Sequence, residues 1–506
     1  MIKYGEIMPY YNEIEWENLQ EEKRFTSGKW NFEFPFEMPK IKHVLIKRDE
    51  SYNILINIEC EMNRKLPNEI KENLYTIKIR GKYSSEGYVL KNCHLFEQIT
   101  SVENSHGIFT LKLTVTSILF DSGVNSEVAW IKEWYLNGPH NHRIFHRTTT
   151  FSKKEIYNKE LHNPVPELQT VKPFKIETNH VSSTHRNYMF CKLNDDENII
   201  ISLVPDEMKP DWSDNICLQY SSKKHMDDIN LRRDIENIIS FIFGRKLIKI
   251  AESHYDINGN KIKETMIDPF INNNLDIKNI CESSDNFPIP IYDYSRDSSE
   301  SIMTNMINSF ISKKETLDFT SMFINYWSST FLPSESRIIL LAASLESLMN
   351  KWFDSINSKR STVIIEKSKY KQLIKDIRPV FLETFEGHTQ IINNFNQLNI
   401  LSINKSIELF FEEINLEMGD IEKNALYSRN DPVHGNDIDH DTFSDLMIYV
   451  EIYRIILNRV ILKLLDYNGD YILNNFVAPI PITNKLPFSL DELKNNIYEI
   501  KYYDID

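Results

Sequence analysis

Between one expected helix ending near Leu426 and another starting near Asp441 lies the run Tyr427-Ser-Arg-Asn-Asp-Pro-Val-His-Gly435. It holds Arg429, Asn430 and His434 in an Arg-x4-His spacing. Residues of these types suit chemistry at a phosphodiester. Cleaving RNA by transesterification needs a base near the 2′-hydroxyl, an acid for the leaving 5′-oxygen and positive charge on the phosphorane. A histidine, with its ordinary pKa of about 6.5, can serve as base or acid. Arg429 offers a permanent fork of donors to the non-bridging oxygens, and Asn430 can orient phosphate or ribose. The products expected are a 2′,3′-cyclic phosphate and a 5′-hydroxyl end. The chemistry requires no metal, and neither a metal site nor a cofactor is indicated. A single histidine in a reaction that uses both an acid and a base points to a composite site from two subunits, in a homodimer or higher homo-oligomer.

The spacing alone is weak evidence, because a chain with 14 histidines meets it often by chance. The local context adds weight. Pro432 cannot sit in a helix interior and pushes Asp431 out of the α region, so a helix ends or kinks inside the motif. Polar side chains at such a break can converge on one pocket mouth while the flanking helices hold them. The competing reading is a polar turn in a non-catalytic bundle. Glu346 is a candidate to pair with Arg429 or to fix the tautomer of His434; a helix-surface carboxylate is the alternative. Lys359, Arg360, Lys367 and Lys371, with Lys369 and Lys375, form the most basic stretch and are candidate contacts for RNA phosphates, or else a solvated helix face. The pair His140 and His142 in His140-Asn-His-Arg-Ile-Phe-His146 would share a strand face as metal ligands do, but no carboxylate or cysteine spacing supports them. Trp30, Trp130 and Trp134 could stack on a base or sugar; core residues of a β domain are the commoner reading, and the sequence does not decide between the two.

The elements that position these residues divide the chain in two. With 506 residues the chain exceeds what one ordinary core organises, and 41% hydrophobic residues are enough to build two or three. From about Lys29 to Phe151 short runs alternate with period two, as in Tyr52-Asn-Ile-Leu-Ile-Asn-Ile58 and Thr110-Leu-Lys-Leu-Thr-Val-Thr116. Further strands are expected at Tyr75–Arg80, Glu127–Ile131 and Ile199–Val204, giving an antiparallel sandwich or barrel. The period then changes to that of a helix near 228–244, ending at Gly244, and a hairpin near 247–267 turns at Asn258-Gly259. The domains expected are a β-rich region over 1–285, a Pro-containing linker over 286–300, a helical domain over 301–475 and a C-terminal tail over 476–506. The fold class is therefore α+β and multidomain. Within the helical domain, Ile338, Leu341, Ala342, Leu345, Leu348 and Met349 form one core-facing stripe. The segment from Asp441 to about Leu465, apolar on several sides, is expected at the centre of a bundle.

Composition bounds the setting. No run of about 18 uncharged apolar residues occurs; the nearest candidates are broken by Arg454, Arg459 and Lys463. No signal peptide is expected, so the mature chain should start near Met1. Five widely spaced cysteines without a CxxC suit a reducing, cytoplasmic compartment better than a disulfide framework. The net charge of −15 disfavours non-specific attraction to nucleic acid, so a nuclease with this balance must confine its positive potential to a cleft or act after an activating event.

Arg429, Asn430 and His434 match the Arg-x4-6-His motif of the HEPN superfamily, whose nucleases often carry a polar residue directly after the arginine. The run Leu341-Ala-Ala-Ser-Leu-Glu-Ser-Leu-Met349 resembles the small-residue and Leu-Glu pattern upstream in ApeA-type anti-phage HEPN proteins. Phe25-Thr-Ser-Gly-Lys-Trp30, with Pro35 and Pro39, and Trp134-Tyr-Leu-Asn-Gly-Pro139 resemble the N-terminal domain of the same family. The resemblance spans nearly the whole chain. It implies a C-terminal HEPN helical bundle acting as an endoribonuclease, with tRNA among the candidate substrates. It also implies motifs paired across a dimer, and an N-terminal region that senses a phage protein trigger or restrains the enzyme until infection is aborted. A non-catalytic HEPN scaffold that binds RNA or a partner is the alternative, and a β-domain ligand-binding module with purely dimerising helices is a third reading.

Overall fold

The computed structural model describes residues 19, 22–61, 70, 73–103, 106–140, 144–145, 147–155, 158–162, 174–175, 182–194, 197–204, 213–221, 228–269, 281, 287–291, 296–330, 332–356, 363–429, 440–473 and 476–493. The chain forms two compact units: Met1–Phe287 with Ile291–Asn308, and Pro288–Pro290 with Ser309–Asp506. The first is an antiparallel β region and the second is mainly helical, an α+β architecture.

In the first unit the strands run β1 (Lys23–Thr26), β2 (Trp30–Glu33), β3 (Ile41–Arg48), β4 (Ile54–Glu61), β5 (Tyr75–Gly81), β6 (Gly87–Glu103), β7 (His106–Thr114), β8 (Ser117–Asp121) and β9 (Trp130–Leu136). There follow β10 (Arg147–Glu155), β11 (Asn158–His162), β12 (Phe174–Lys175), β13 (Ser182–Asn194), β14 (Glu197–Leu203), β15 (Ile216–Ser221), helix α1 (Ile229–Phe243), β16 (Ile248–Tyr255) and β17 (Lys261–Ile267). One layer pairs β1-β3-β4-β7-β6 and the other pairs β2-β5-β6-β8-β17-β16-β9-β15-β14-β13-β10-β11-β12, every neighbour antiparallel. Strand β6 belongs to both. Its first part pairs with β5 and β8 and its second with β7, and the change falls beside Asn92, whose φ of 54° turns the strand.

Alternation explains the layers. In β4, Ile54, Ile56, Ile58 and Cys60 are buried while Leu55, Asn57, Glu59 and Glu61 are less so, the pattern of a sheet with one covered face. The buried set packs with Val44, Ile77, Leu111, Ile118, Trp134 and Ile250 into one core between the layers. Strand β9 is buried along its whole length, between β15 and β16 in its sheet. Trp134 belongs to that core and Trp30 packs partly buried against it, while Trp130 is buried in a smaller cluster with Tyr188, Ile200 and Tyr255. The five cysteines are all buried, and burial pushes the Cys60 and Cys93 thiols up to about 12, so both stay protonated.

Helix α1 starts at Asp228, whose side chain accepts from the Asn230 amide, and ends at Gly244 with φ 64°. The hairpin turn between β16 and β17 differs in detail from the expectation. Of Asn258 and Gly259, only Gly259 takes a positive φ (80°), because the Asp256 carboxylate accepts from the Asn258 and Asn260 amides and fixes the loop itself.

The second unit contains α3 (Phe319–Thr330), α4 (Ser334–Ser355), α5 (Lys367–Leu373), α6 (Ile377–Thr384), α7 (Thr389–Gln397), α8 (Ile403–Glu413), α9 (Asp420–Ser428) and α10 (His440–Leu464). The preceding helix, α2 (Arg296–Leu317), contains the point where the units divide. The stretch 286–300 read as a linker is thus helical from Arg296. The stretch Lys367–Thr384 forms two helices: Pro379 has no amide N–H to donate to the Lys375 carbonyl, as a continuous helix would require, and α5 and α6 are separated at Ile374–Asp376. The 476–506 segment read as a tail begins as strand β19 (Phe476–Pro481), paired antiparallel with β18 (Asp470–Leu473), and buries Ile482 and Leu486 beyond it. Among the described residues no helix is long and apolar enough to cross a membrane.

In the first unit, Arg232 of α1 donates to Glu133 of β9 and Glu252 of β16, each at 2.9 Å, and Lys249 bridges the same carboxylates at 2.5 and 2.6 Å. Burial alone would push the Glu252 carboxyl up. The hydrogen bond with His254 and the charges of Lys249 and Arg232 outweigh that and hold it well below the carboxylate range. A depressed carboxylate contributes stability that is fully present above its unfolded pKa of about 4.3 and is lost as pH falls below it. Glu252→Gln is therefore expected to cost on the order of 2 kcal/mol at pH 7. It should also flatten the loss of stability between pH 5 and 3, both read from urea denaturation midpoints across pH; parallel pH profiles for the two proteins would contradict it.

Candidate functional site

The site is built where α9 ends. Helix α4 exists because Ile338, Leu341, Leu345, Leu348 and Phe353 recur at helical spacing and are buried, against a neighbouring α10 whose Tyr453, Ile456, Leu457, Val460 and Ile461 are equally enclosed. Helices α3 and α9 pack beside them. This arrangement carries Glu346 on α4, Arg429 at the C-cap of α9 and Tyr453 on α10 to one place.

The Arg429 Nη1 donates to the Glu346 carboxylate, and the two side chains are 11% and 33% exposed. The arginine is thus nearly enclosed while its partner still reaches solvent. Tyr453 is fully buried beside them. Burial pushes its phenol up to about 12, although the Arg429 guanidinium pulls the other way, so it stays a neutral hydroxyl. An enclosed guanidinium with one carboxylate contact retains donors for an anion, and can meet a planar phosphate or carboxylate in two-point fashion.

What fixes Arg429 in space is a second, deeper pair. The Arg459 guanidinium on α10 donates to the Glu422 carboxylate in the first turn of α9, and both side chains are completely buried. Arg459 also donates to the Glu417 carbonyl at 3.0 Å and the Ile482 carbonyl at 3.2 Å, and Glu422 accepts from the Gly419 amide at 2.6 Å as the cap of α9. Burial pushes the Glu422 carboxyl up, against the pull of Arg459 and of the Gly419 and Leu486 amides. Sequence reading treated Arg459 only as a break in an apolar run. The signal was present: a charge in the middle of an otherwise apolar helix requires a buried partner.

Of the residues singled out from the sequence, Arg429 and Glu346 are brought together. Asn430, His434, Lys359 and Arg360 lie outside the described residues. Lys367 and Lys371 are exposed on α5, as are Lys369 and Lys375 around them. His140 pairs with Asp214 in the first unit, His142 and His146 lie outside the described residues, and no group of three or more His, Cys, Asp or Glu that could hold a metal forms among the described residues.

No family model, curated protein or solved structure matches this chain.

Breaking the deep pair by one partner leaves an unpaired buried charge, so Glu422→Ala is expected to cost about 3–5 kcal/mol. The double change Glu422→Leu with Arg459→Met should recover much of that. A denaturation double-mutant cycle measures both; additive losses in the double variant would show that the two groups do not act as a pair.

Proposed function

We propose that this chain is an anti-phage endoribonuclease of the ApeA type, with an HEPN active site around Arg429 and His434 in its helical unit. The observation that carries this reading is the enclosed Arg429–Glu346 pair, at the end of a short helix and directly before the Asn430–His434 run. A guanidinium in that position is suited to the non-bridging oxygens of a phosphodiester, and Glu346 orients it. His434 takes the 2′-hydroxyl proton or protonates the leaving 5′-oxygen, and Asn430 holds phosphate or ribose. The second proton-transfer group comes from the His434 of another copy in a homodimer or higher homo-oligomer. Lys359, Arg360, Lys367 and Lys371 supply electrostatic attraction to an RNA, tRNA among the candidates, that the net charge of −15 otherwise opposes. The β unit serves as the sensor of a phage protein in the cytoplasm and restrains the nuclease until infection.

A second reading draws on the same pair. Glu346 neutralises Arg429, which favours a non-catalytic HEPN scaffold that binds RNA or a protein partner without cleaving.

The two are separated by incubating the full chain with total bacterial RNA in EDTA, beside His434→Ala and Arg429→Ala, and mapping the ends. Cyclic-phosphate ends that vanish with His434→Ala, and fall by roughly a hundredfold with Arg429→Ala, are the expected outcome. RNA that is bound but left intact, equally by wild type and variants and in cells challenged with phage, would favour the scaffold.

A further inference from the structure

In the helical unit a cleft of about 370 Å³, a volume suited to a small molecule, opens between the last turns of α2, α4, α8 and α10. Its apolar lining of Leu317, Ile414 and Leu464 is buried, and Trp352 beside it is half-buried. The charged members are Lys313, Lys463, Glu413 and Asp466. What can enter depends on which of these groups are already engaged.

The ends of α8 and α10 leave little for an ion. Asn415 and Asp466 close these helices with φ of 56° and 62°, the left-handed conformation that turns the following amides back onto the last carbonyls. The Phe410, Phe411 and Glu412 carbonyls accept from the Ile414, Leu416 and Asn415 amides at 3.0, 2.9 and 3.1 Å. Those of Ile461, Leu462 and Lys463 accept from Leu465, Tyr467 and Asp466, and the Leu464 carbonyl takes the Lys313 ammonium at 2.8 Å. The side chains balance as well, since two lysines stand against two carboxylates. Asp466 is committed to Lys313 at 2.6 Å and to the Ser309 hydroxyl at 2.9 Å. Glu413 differs: it is exposed in the lining, and its carboxylate has no hydrogen bond or ion pair among the described residues. Lys463 gives one proton to Asn468 at 3.0 Å and has two more to offer.

A lining of no net charge favours neither a cation nor an anion, and its polar members disfavour an aliphatic guest. It suits a flat neutral ring with one face on the indole of Trp352 and a polar edge turned to Glu413 and Lys463. A carboxylate only accepts, through two oxygens, so it is best met by two adjacent N–H donors. Among the nucleobases guanine has that edge, with N1–H beside the N2 amino group and the O6 acceptor next to them. Adenine and cytosine set an acceptor nitrogen next to their amino group, and uracil flanks its N–H with two carbonyls, so each would turn a lone pair on the carboxylate. We propose that the cleft binds an uncharged guanine base, stacked on Trp352, with N1–H and the N2 amino group on Glu413 and O6 at Lys463. The base belongs to a free nucleoside or to an RNA strand. The proposal is independent of the nuclease reading, because none of these residues belongs to the Arg429 site.

The test is calorimetric titration of the full chain with guanosine, inosine and adenosine as separate titrants. Saturable guanosine binding at one site per chain is expected, with inosine, which lacks the N2 amino group, weaker by roughly tenfold and adenosine weaker still. Glu413→Gln and Trp352→Leu should each weaken guanosine roughly tenfold. Glu413 is exposed, so its variant keeps the fold if Trp352→Leu does not. A 2′-O-methyl oligoribonucleotide, which transesterification cannot cleave, separates the two sources. Tighter binding than guanosine, lost when its one guanine is replaced by adenine, assigns the base to RNA, and no gain over guanosine assigns it to a free nucleoside. Absence of saturable guanosine binding overturns the proposal, as does inosine or adenosine bound as tightly, or wild-type affinity in Glu413→Gln.

Discussion

The helical unit depends on one buried charge and the way it is satisfied. Arg459 lies on α10 among Ile456, Leu457, Val460, Ile461 and Leu462, with no solvent to hydrate it. A guanidinium there is tolerable only if its donors all find oxygens, since several kcal/mol of desolvation must be offset, to order of magnitude. Its partners come from different parts of the chain: Glu422 in the first turn of α9, the Glu417 carbonyl just before that helix, and the Ile482 and Thr483 carbonyls after β19. Satisfying Arg459 therefore fixes the register of α9 on α10 and holds the C-terminal segment in place. Because α9 is only nine residues long, Arg429 lies seven residues from Glu422, about 10 Å along the axis at 1.5 Å per residue. The position of the guanidinium at the candidate site is set by a carboxylate two turns away.

The β unit solves a related problem differently. Its buried charges lie between α1 and one face of a sheet whose other face builds the sandwich core, and they are shared: Glu133 and Glu252 each serve both Arg232 and Lys249. Tyr135 donates to Glu133 at 2.7 Å from the same strand. Where Arg459 relies on backbone carbonyls and one acid, this cluster relies on alternating side-chain charges. The loss of one member leaves the others partial partners, whereas the Arg459 pair has no such reserve.

How much of this the sequence disclosed follows from the kind of interaction involved. Period-two runs such as Ile54–Cys60 and the helical stripe from Ile338 to Phe353 are written locally, and so were legible, as was the α1 stop at Gly244. A single residue can override such a pattern, as Pro379 in the first turn of α6 does by separating that helix from α5. The hairpin of β18 and β19 was missed because its strands are four and six residues long and its pairing stands against the helical core, not in a sheet with a repeating signal. The sharing of β6 between two layers is a long-range property that no window reveals. At the candidate site, residue types named Arg429 and Glu346, 83 positions apart. Tyr453 and Glu422 were invisible because an aromatic in an apolar helix and an acid in a first helical turn both read as ordinary.

The electrostatics of the candidate site constrain what can use it. Glu346 compensates Arg429, so an incoming phosphate meets a pair of net charge zero in a chain of net charge −15, and must either share the guanidinium with the carboxylate or displace it. Sharing is geometrically open, because Glu346 engages one Nη and the fork has further donors. The energetic deficit remains: a phosphodiester beside Glu346 is repelled unless further positive charge joins it. On the described residues the nearest concentration of cations in sequence to α4 is the exposed lysine run of α5, and α5 has no buried residue to anchor it. A site that brings its missing charge from a loosely held helix, or from a second copy of the chain, is weak when alone and strong when assembled.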